Sequence, residues 1–398
     1  MSKRKLLRAA PLLVVALVAT ACGGGDGGGQ AGGGQDCTWT IGAMGALSGD
    51  YAPLGQGIFQ GIELAVEQAN ERGDLACRLE IQREDSQGSP DQAPPLAQKL
   101  VENDTLVACI CPWFSGETLA TGDIFSDAGV LISGTGTNDT IDEQGFKTWF
   151  RAVASDGVQG PTAAEYIREA LNPRVVAVIH DNQDYSKGLA ESVHEALGDL
   201  AVGPFVINPE ETDYSAVVAQ VLDANPDVVY YGGYTPQAGP LALQLHEAGV
   251  DAQFVSDDGT KDPSFGELAG PAAQGAIVTC PCVDPTKIDA AADFVAAHEE
   301  RYGEPPRTFG ADTYDVTNIV IQALSELNGD EPIDEVRAHV VEFFDNAEGI
   351  QGVAKSYTWE DSGELVADPL KDIWLYEWDD QAGDFVSLGS AEQVIAGN

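Results

Sequence analysis

The segment VACICPWFSGETLA, residues 107–120, runs from an unbroken apolar stretch into a helix entry and sets Trp113, Phe114 and Ser115 on the turn between them. A helix mouth offers unpaired N–H groups and a partial positive charge, so an anion can settle there. Ser115 adds a hydroxyl at that spot, although a serine so placed can also simply cap its own helix. The next strand end, SGTGTND at 133–139, brings the Thr135 and Thr137 hydroxyls together with glycines, Gly136 among them, that let a ligand approach the backbone closely. Its glycines lack the G-x-G-x-x-G spacing of a nucleotide site, and such a turn can be only a turn. Three further strand ends carry Tyr185, Tyr234 and Asp258. Loop tyrosines also serve as surface or packing residues, and an aspartate there can cap a turn.

These residue types suit the binding of a small polar ligand better than bond breaking. The five histidines, His180, His194, His246, His298 and His339, are scattered, and neither H-E-x-x-H nor G-x-S-x-G occurs. Asp181 and Asp184 form no evident acid–base pair. The chain is therefore read as a binder, not an enzyme, with no cofactor and no metal.

Strand ends need strands. Strand signals at 38–44, 78–85, 106–111 and 130–133 alternate with helical periodicity at 55–73, 95–104 and 116–129. A second run places a helix at 161–171 with Pro161 at its start, a strand at 175–181 and a helix at 186–198. A helix at 214–226, a strand at 227–233, a helix at 236–249 and a strand at 252–258 continue it. Helices at 289–303 and 309–327 follow, then β-structure within 353–378, with a hairpin signal at Asp361-Ser362-Gly363. Alternation of this kind means crossovers and parallel sheets, and two runs mean two doubly wound α/β lobes. In such sheets ligands bind beyond the carboxyl ends of the strands, where the residues above fall.

The first 22 residues read as a secretory leader: Lys3, Arg4, Lys5 and Arg8, a short apolar run, then small residues before Cys22. Cys22 resembles the lipidated cysteine of a bacterial lipoprotein box; a plain cut near Ala21 is the alternative. The Gly-rich stretch 23–36 behaves as a flexible tether. With 64 acidic residues against 20 basic and a net charge of −44, nucleic acid is excluded as a partner. Six cysteines remain beyond Cys22, an even number outside the cytoplasm, so disulfides are expected. Cys37 and Cys77, each just before a strand, are read as a pair. Cys109, Cys111, Cys280 and Cys282 are disulfide candidates too, with a four-thiolate zinc site as the alternative.

Four stretches in order, GALSGDYAPLGQGIFQGIELAVEQAN, DGVQGPTAAEYI, VIHDNQDYSKGLA and VYYGGYTPQAG, are similar to motifs of the branched-chain amino-acid binding proteins of ABC importers, and the likeness runs from about residue 40 to about residue 378. The resemblance implies a type I periplasmic binding protein fold: two Rossmann-like lobes with parallel-rich sheets joined by a three-strand hinge. The lobes would be 37–156 with 283–350, and 157–282 with 351–398. It implies an amino-acid ligand held between them by hinge closure, with Ser115 and Thr137 on its carboxylate. The Thr135 carbonyl, Thr137 and Asp258 would hold its ammonium. Tyr185 and Tyr234 would close over it, and Phe309 in RTFGADTYD would pack on its side chain. Leu54 stands where a well-matched relative has tyrosine, Asp258 where glutamate is common, and Trp113 adds a bulky ring, so the departures bear on side-chain specificity. A monomer anchored outside the cytoplasm, delivering to ABC permease subunits, is the implied setting. A sensing receptor subunit of the same fold, or a binder of a small amide, is the alternative.

Overall fold

The computed structural model describes residues 37–396; the leader, the tether and Cys22 lie outside the described residues. The first lobe opens with β1 (Thr38–Gly45), α1 (Ala52–Arg72), β2 (Arg78–Asp85), α2 (Ala93–Val101), β3 (Leu106–Cys109), α3 (Ser115–Asp127) and β4 (Leu131–Ile132). Its four strands form a parallel sheet in the order β2-β1-β3-β4. β3 is buried throughout, as its unbroken apolar sequence requires of a strand covered on both faces.

The chain then crosses to a second lobe: α4 (Asp156–Tyr166), β5 (Val176–His180), α5 (Asp184–Leu197), β6 (Ala201–Val206), α6 (Ser215–Ala224), β7 (Val228–Gly232), α7 (Thr235–Glu247), β8 (Gln253–Ser256), α8 (Ser264–Ala269) and β9 (Ile277–Cys280). It returns through α9 (Ala292–Tyr302), α10 (Gly310–Leu324) and α11 (Ile333–Asp345). α11 is tied to the first lobe by Arg337, which donates to the carbonyls of Leu106 (2.8 Å), Asn103 (3.2 Å) and Ala128 (3.3 Å). A short hairpin, β10 (Ile350–Gln351) with β11 (Ser356–Tyr357), precedes the third crossing to α12 (Pro369–Asp372), β12 (Trp374–Asp379), β13 (Asp384–Ser390) and α13 (Ala391–Ala396). The second sheet runs β13-β12-β9-β8-β7-β5-β6, parallel from β6 to β9 and antiparallel at β12 and β13.

Several expectations need correcting. Pro161 lies inside α4, not at its start, because the helix begins at Asp156, where Ser155 is still extended. The last turn, 167–171, is π-helical. Strands β6, β9 and β13 and helix α11 are additional. β6 carries Gly203 and Pro204, which mask a strand in sequence and are tolerated at a sheet edge. The hairpin signal at 361–363 is a turn closed by a bridge between Trp359 and Leu365. All six cysteines form disulfides, Cys37–Cys77, Cys109–Cys111 and Cys280–Cys282, so the last two pairs close within themselves and leave no thiolates for zinc.

α1 and α10 meet closely enough that Gly61 faces the Gly310 carbonyl, while Thr313 Oγ1 donates to the Ile58 carbonyl at 2.8 Å. A methyl group at 61 would collide with that carbonyl. Gly61→Ala is therefore expected to destabilise the fold by about 1–3 kcal/mol through overpacking. An unchanged urea midpoint would contradict this packing.

Candidate functional site

Each sheet presents its strand tips to one shared gap. From the first lobe, the turn after β3 supplies Trp113, Phe114 and Ser115, and the loop after β4 supplies Thr135 and Thr137. From the second, α5 supplies Tyr185 in its first turn, the residue before α7 is Tyr234, and Asp258 follows β8. Leu54 in the first turn of α1 and Phe309 just before α10 complete the lining. Ten of the eleven residues singled out as ligand contacts thus surround one small cavity of about 10 Å³. Gly136 does not line it. It lies behind, where the lack of a side chain lets its backbone sit against Ser115 and Thr118.

At one pole stand two hydroxyls. Ser115 does not cap its own helix; its Oγ accepts from the backbone N–H groups of Thr137 and Asn138, each at 3.2 Å. Its proton is thereby left to point elsewhere. Thr137 Oγ1 is buried without a hydrogen-bond partner among the described residues. Beneath this loop runs Arg151, fully buried, whose guanidinium donates to the carbonyls of Gly136 (2.5 Å) and Asn138 (3.2 Å) and pairs with Glu364 at 2.9 Å. With its carbonyls turned to Arg151, the loop keeps the N–H groups of 137 and 138 toward Ser115.

At the other pole stand carboxylates. Asp258 accepts a hydrogen bond from the Tyr185 hydroxyl at 2.9 Å. Asp257 is held by the N–H groups of Gly233 (2.8 Å) and Gly259 (3.1 Å). Asp156, at the start of α4, is also buried, and neither of its oxygens has a partner among the described residues. Burial raises all three carboxyls above their ordinary range. Asp257 and Asp258 repel each other's charge, and Asp258 is pulled partway back by hydrogen bonds to Gln159 and Tyr185 and by the charge of Lys261. A nearby Thr137 hydroxyl opposes the rise at Asp156, while Asp139 and Asp258 add to it. Such a cluster favours a cation in its midst.

Aromatic rings roof the cavity. Tyr234 meets Tyr185 at 4.9 Å, Tyr51 at 5.1 Å and Phe114 at 5.4 Å between ring centroids, so rings of the two lobes pack edge to face across the gap. The Asn138 side-chain amide donates to the Asp184 carbonyl at 2.7 Å, a hydrogen bond between the lobes. Sequence reasoning missed Tyr51, Asn138, Arg151 and Asp156. Asp156 heads a motif already singled out, DGVQGPTAAEYI, and Tyr51 lies inside another; nothing marks Arg151 as buried.

Two Rossmann-like sheets that aim polar strand ends at a common cleft define a type I periplasmic binding fold. The sequence matches the family described as "Periplasmic binding protein" over residues 38–383, and the chain belongs to that family. It is 32% identical to the Leu/Ile/Val-binding protein of Escherichia coli K12 over 330 residues, which cover 82% of this chain and 87% of that protein. Its fold is similar to a leucine-binding protein of Thermotoga maritima (TM-score 0.79, 21% identity, 88% of this chain and 97% of that one). It is similar too to a branched-chain amino-acid transporter substrate-binding protein of Streptococcus pneumoniae in complex with isoleucine (TM-score 0.78, 24% identity, 88% and 99%).

The unpartnered Asp156 carboxylate has a measurable cost. Because folding raises its pKa, the folded chain holds the proton more tightly than the unfolded one. The penalty is absent below the ordinary carboxylate range and grows as pH rises through the raised value. Asp156→Asn is expected to stabilise the unliganded protein near neutral pH by about 1–3 kcal/mol and to flatten the pH dependence of its melting temperature. A less stable variant with the wild-type pH profile would contradict it.

Proposed function

We propose that this protein is the extracytoplasmic substrate-binding component of an ABC importer and binds a free aliphatic amino acid, branched-chain or related, by closing its two lobes around it. The observation that carries this reading is the pairing of poles within one cavity: the Ser115 and Thr137 hydroxyls on one side, Asp258 with Tyr185 on the other. A zwitterion has the matching charges. Its carboxylate takes the protons of Ser115 and Thr137. Its ammonium donates to Asp258, to Thr137 and to the Thr135 carbonyl, which accepts no hydrogen bond among the described residues. Tyr185 and Tyr234 close over it from the second lobe, and Trp113, Phe114, Leu54 and Phe309 meet its side chain. Asp156, buried and in electrostatic contact with Asp258, adds a carboxyl that an ammonium would draw toward its ionised form.

Charge-assisted hydrogen bonds contribute about 1.5–3 kcal/mol each, enough for micromolar binding after ordering costs. The lobe boundaries are proposed as 37–156 with 283–350 and 157–282 with 351–398, with the chain between β11 and α12 in the seam, where Trp359 Nε1 donates to the Arg151 carbonyl (2.8 Å). We also propose that the mature chain is a monomer held to the membrane by lipid on Cys22, that it delivers its ligand to permease subunits, and that it performs no chemistry on it.

Calorimetry against a panel of amino acids, their des-amino analogues and small amides tests the reading. Free amino acids should bind, and Asp258→Asn should weaken them far more than the des-amino analogues; silence across the amino acids, or equal loss for both, would refute it. Binding should also release protons, since an ammonium favours the ionised form of carboxyls whose pKa burial has raised. Affinity should therefore fall as pH is lowered from about 7.5 to about 5, and heats should vary with the buffer's ionisation enthalpy. Buffer-independent heats with pH-independent affinity would remove the carboxyl cluster from the account.

A further inference from the structure

We propose that Glu117 is a positioning residue for the carboxylate pole: it serves the mouth of α3 in place of Ser115 and so frees the Ser115 hydroxyl for the ligand. This rests on the amino-acid reading and deepens it.

The first N–H groups of a helix have no partners within it, and a side-chain oxygen at the N-cap commonly serves them. The N-cap of α3 is Phe114, whose side chain has no oxygen to offer. Ser115, the first helical residue, carries the obvious hydroxyl. Its Oγ is nevertheless turned away, to the N–H groups of Thr137 and Asn138. Another acceptor must therefore face the mouth.

Glu117 stands at the third position of the helix, from which a glutamate can reach back toward the N-cap N–H. It is fully buried, yet it does not line the ligand cavity. Burial pushes its carboxyl up to about 7; the Ser86 hydroxyl and the N–H groups of Phe114 and Trp113 oppose that rise, and Asp85 adds to it. The carboxyl thus faces the backbone of the two residues that lead into Ser115. Its Oε1 accepts from Ser86 Oγ, and its Oε2 has no hydrogen-bond partner among the described residues. Ser86 is anchored in turn, just past β2, where its N–H donates to the Gly45 carbonyl at 3.0 Å. The side chain of Glu117 therefore ties the turn that carries Trp113, Phe114 and Ser115 to the neighbouring strand ends.

Removing this carboxyl leaves the Ser86 hydroxyl without its acceptor and the helix mouth without a facing oxygen. Ser115 is the nearest hydroxyl able to turn back onto its own helix. Turned so, it leaves the N–H groups of Thr137 and Asn138 and no longer meets a ligand carboxylate. An amide of the same shape keeps an acceptor in place and holds Ser115 where it is.

Titration of the protein and its variants with leucine, isoleucine and valine, with melting temperatures recorded alongside, tests the inference. Glu117→Ala should weaken whichever of these binds by about tenfold, the weight of one hydrogen bond, and Glu117→Gln should stay within about threefold of the wild type. In a Ser115→Ala background, Glu117→Ala should cost less than about threefold more, because the residue it acts through is gone. In an Asp258→Asn background the full loss of about tenfold should persist, since the poles are independent. Should Glu117→Ala fail to fold, Glu117→Asp makes the same test, for it keeps the charge but withdraws it from Ser86. Unchanged affinity in Glu117→Ala, or an equal loss with and without the Ser115 hydroxyl, would overturn the proposal. A loss in Glu117→Gln as large as in Glu117→Ala would also overturn it. Each of these outcomes leaves the amino-acid reading intact, whereas silence of all three amino acids on the wild type would overturn that reading and the proposal with it.

Discussion

Everything in the site depends on a cluster of buried polar groups of two kinds held apart by the width of one small cavity. The Ser115 hydroxyl and a Thr137 hydroxyl without a partner among the described residues sit on one side, and carboxylates outnumbering nearby cations sit on the other. In water such groups would be solvated and indifferent to each other. Closing the lobes removes that water, and in the lower dielectric of the interior each group then demands a partner of the right sign. A fold that keeps Asp156, Asp257 and Asp258 buried together sacrifices stability, as sites shaped for binding commonly do.

The remaining architecture can be read as the means of holding that arrangement. Parallel sheets deliver their strand ends to one edge, and two such edges face each other across the gap. Arg151 fixes the carbonyls of the 136–138 loop, which sets the N–H groups that orient Ser115. Asn138 is bound at its backbone to Ser115 and at its side chain to the Asp184 carbonyl of the other lobe. The same residue therefore reports on both the hydroxyl pole and the closure of the lobes. The ring cluster of Tyr51, Phe114, Tyr185 and Tyr234 adds apolar contact to that closure.

Much of this was legible in the sequence, for definite reasons. Strands such as LVAC and VAVIH are apolar, apart from the His180 that closes the second, because both faces are covered, and their ends are marked by residues that cannot continue them. Those strand ends mark Ser115, Thr137, Tyr185, Tyr234 and Asp258, which the structure gathers around one cavity. Leu54 and Phe309, by contrast, came only from likeness to relatives, since a leucine in a helix and a phenylalanine in a loop carry no signal of their own. Arg151 was invisible because a buried guanidinium looks in sequence like any surface arginine. Gly203 and Pro204 interrupt the pattern of β6, and Pro161 suggests a helix start where α4 already runs through it.

The central claim is that a zwitterion is held by its two charges between the two lobes. A crystal structure of the protein grown with the tightest-binding amino acid of the panel tests it most directly. The account predicts the carboxylate oxygens within hydrogen-bonding distance of the Ser115 and Thr137 hydroxyls, with the ammonium against Asp258 and the Thr135 carbonyl. An amino acid bound in the reverse sense, or seated away from these residues altogether, would contradict it.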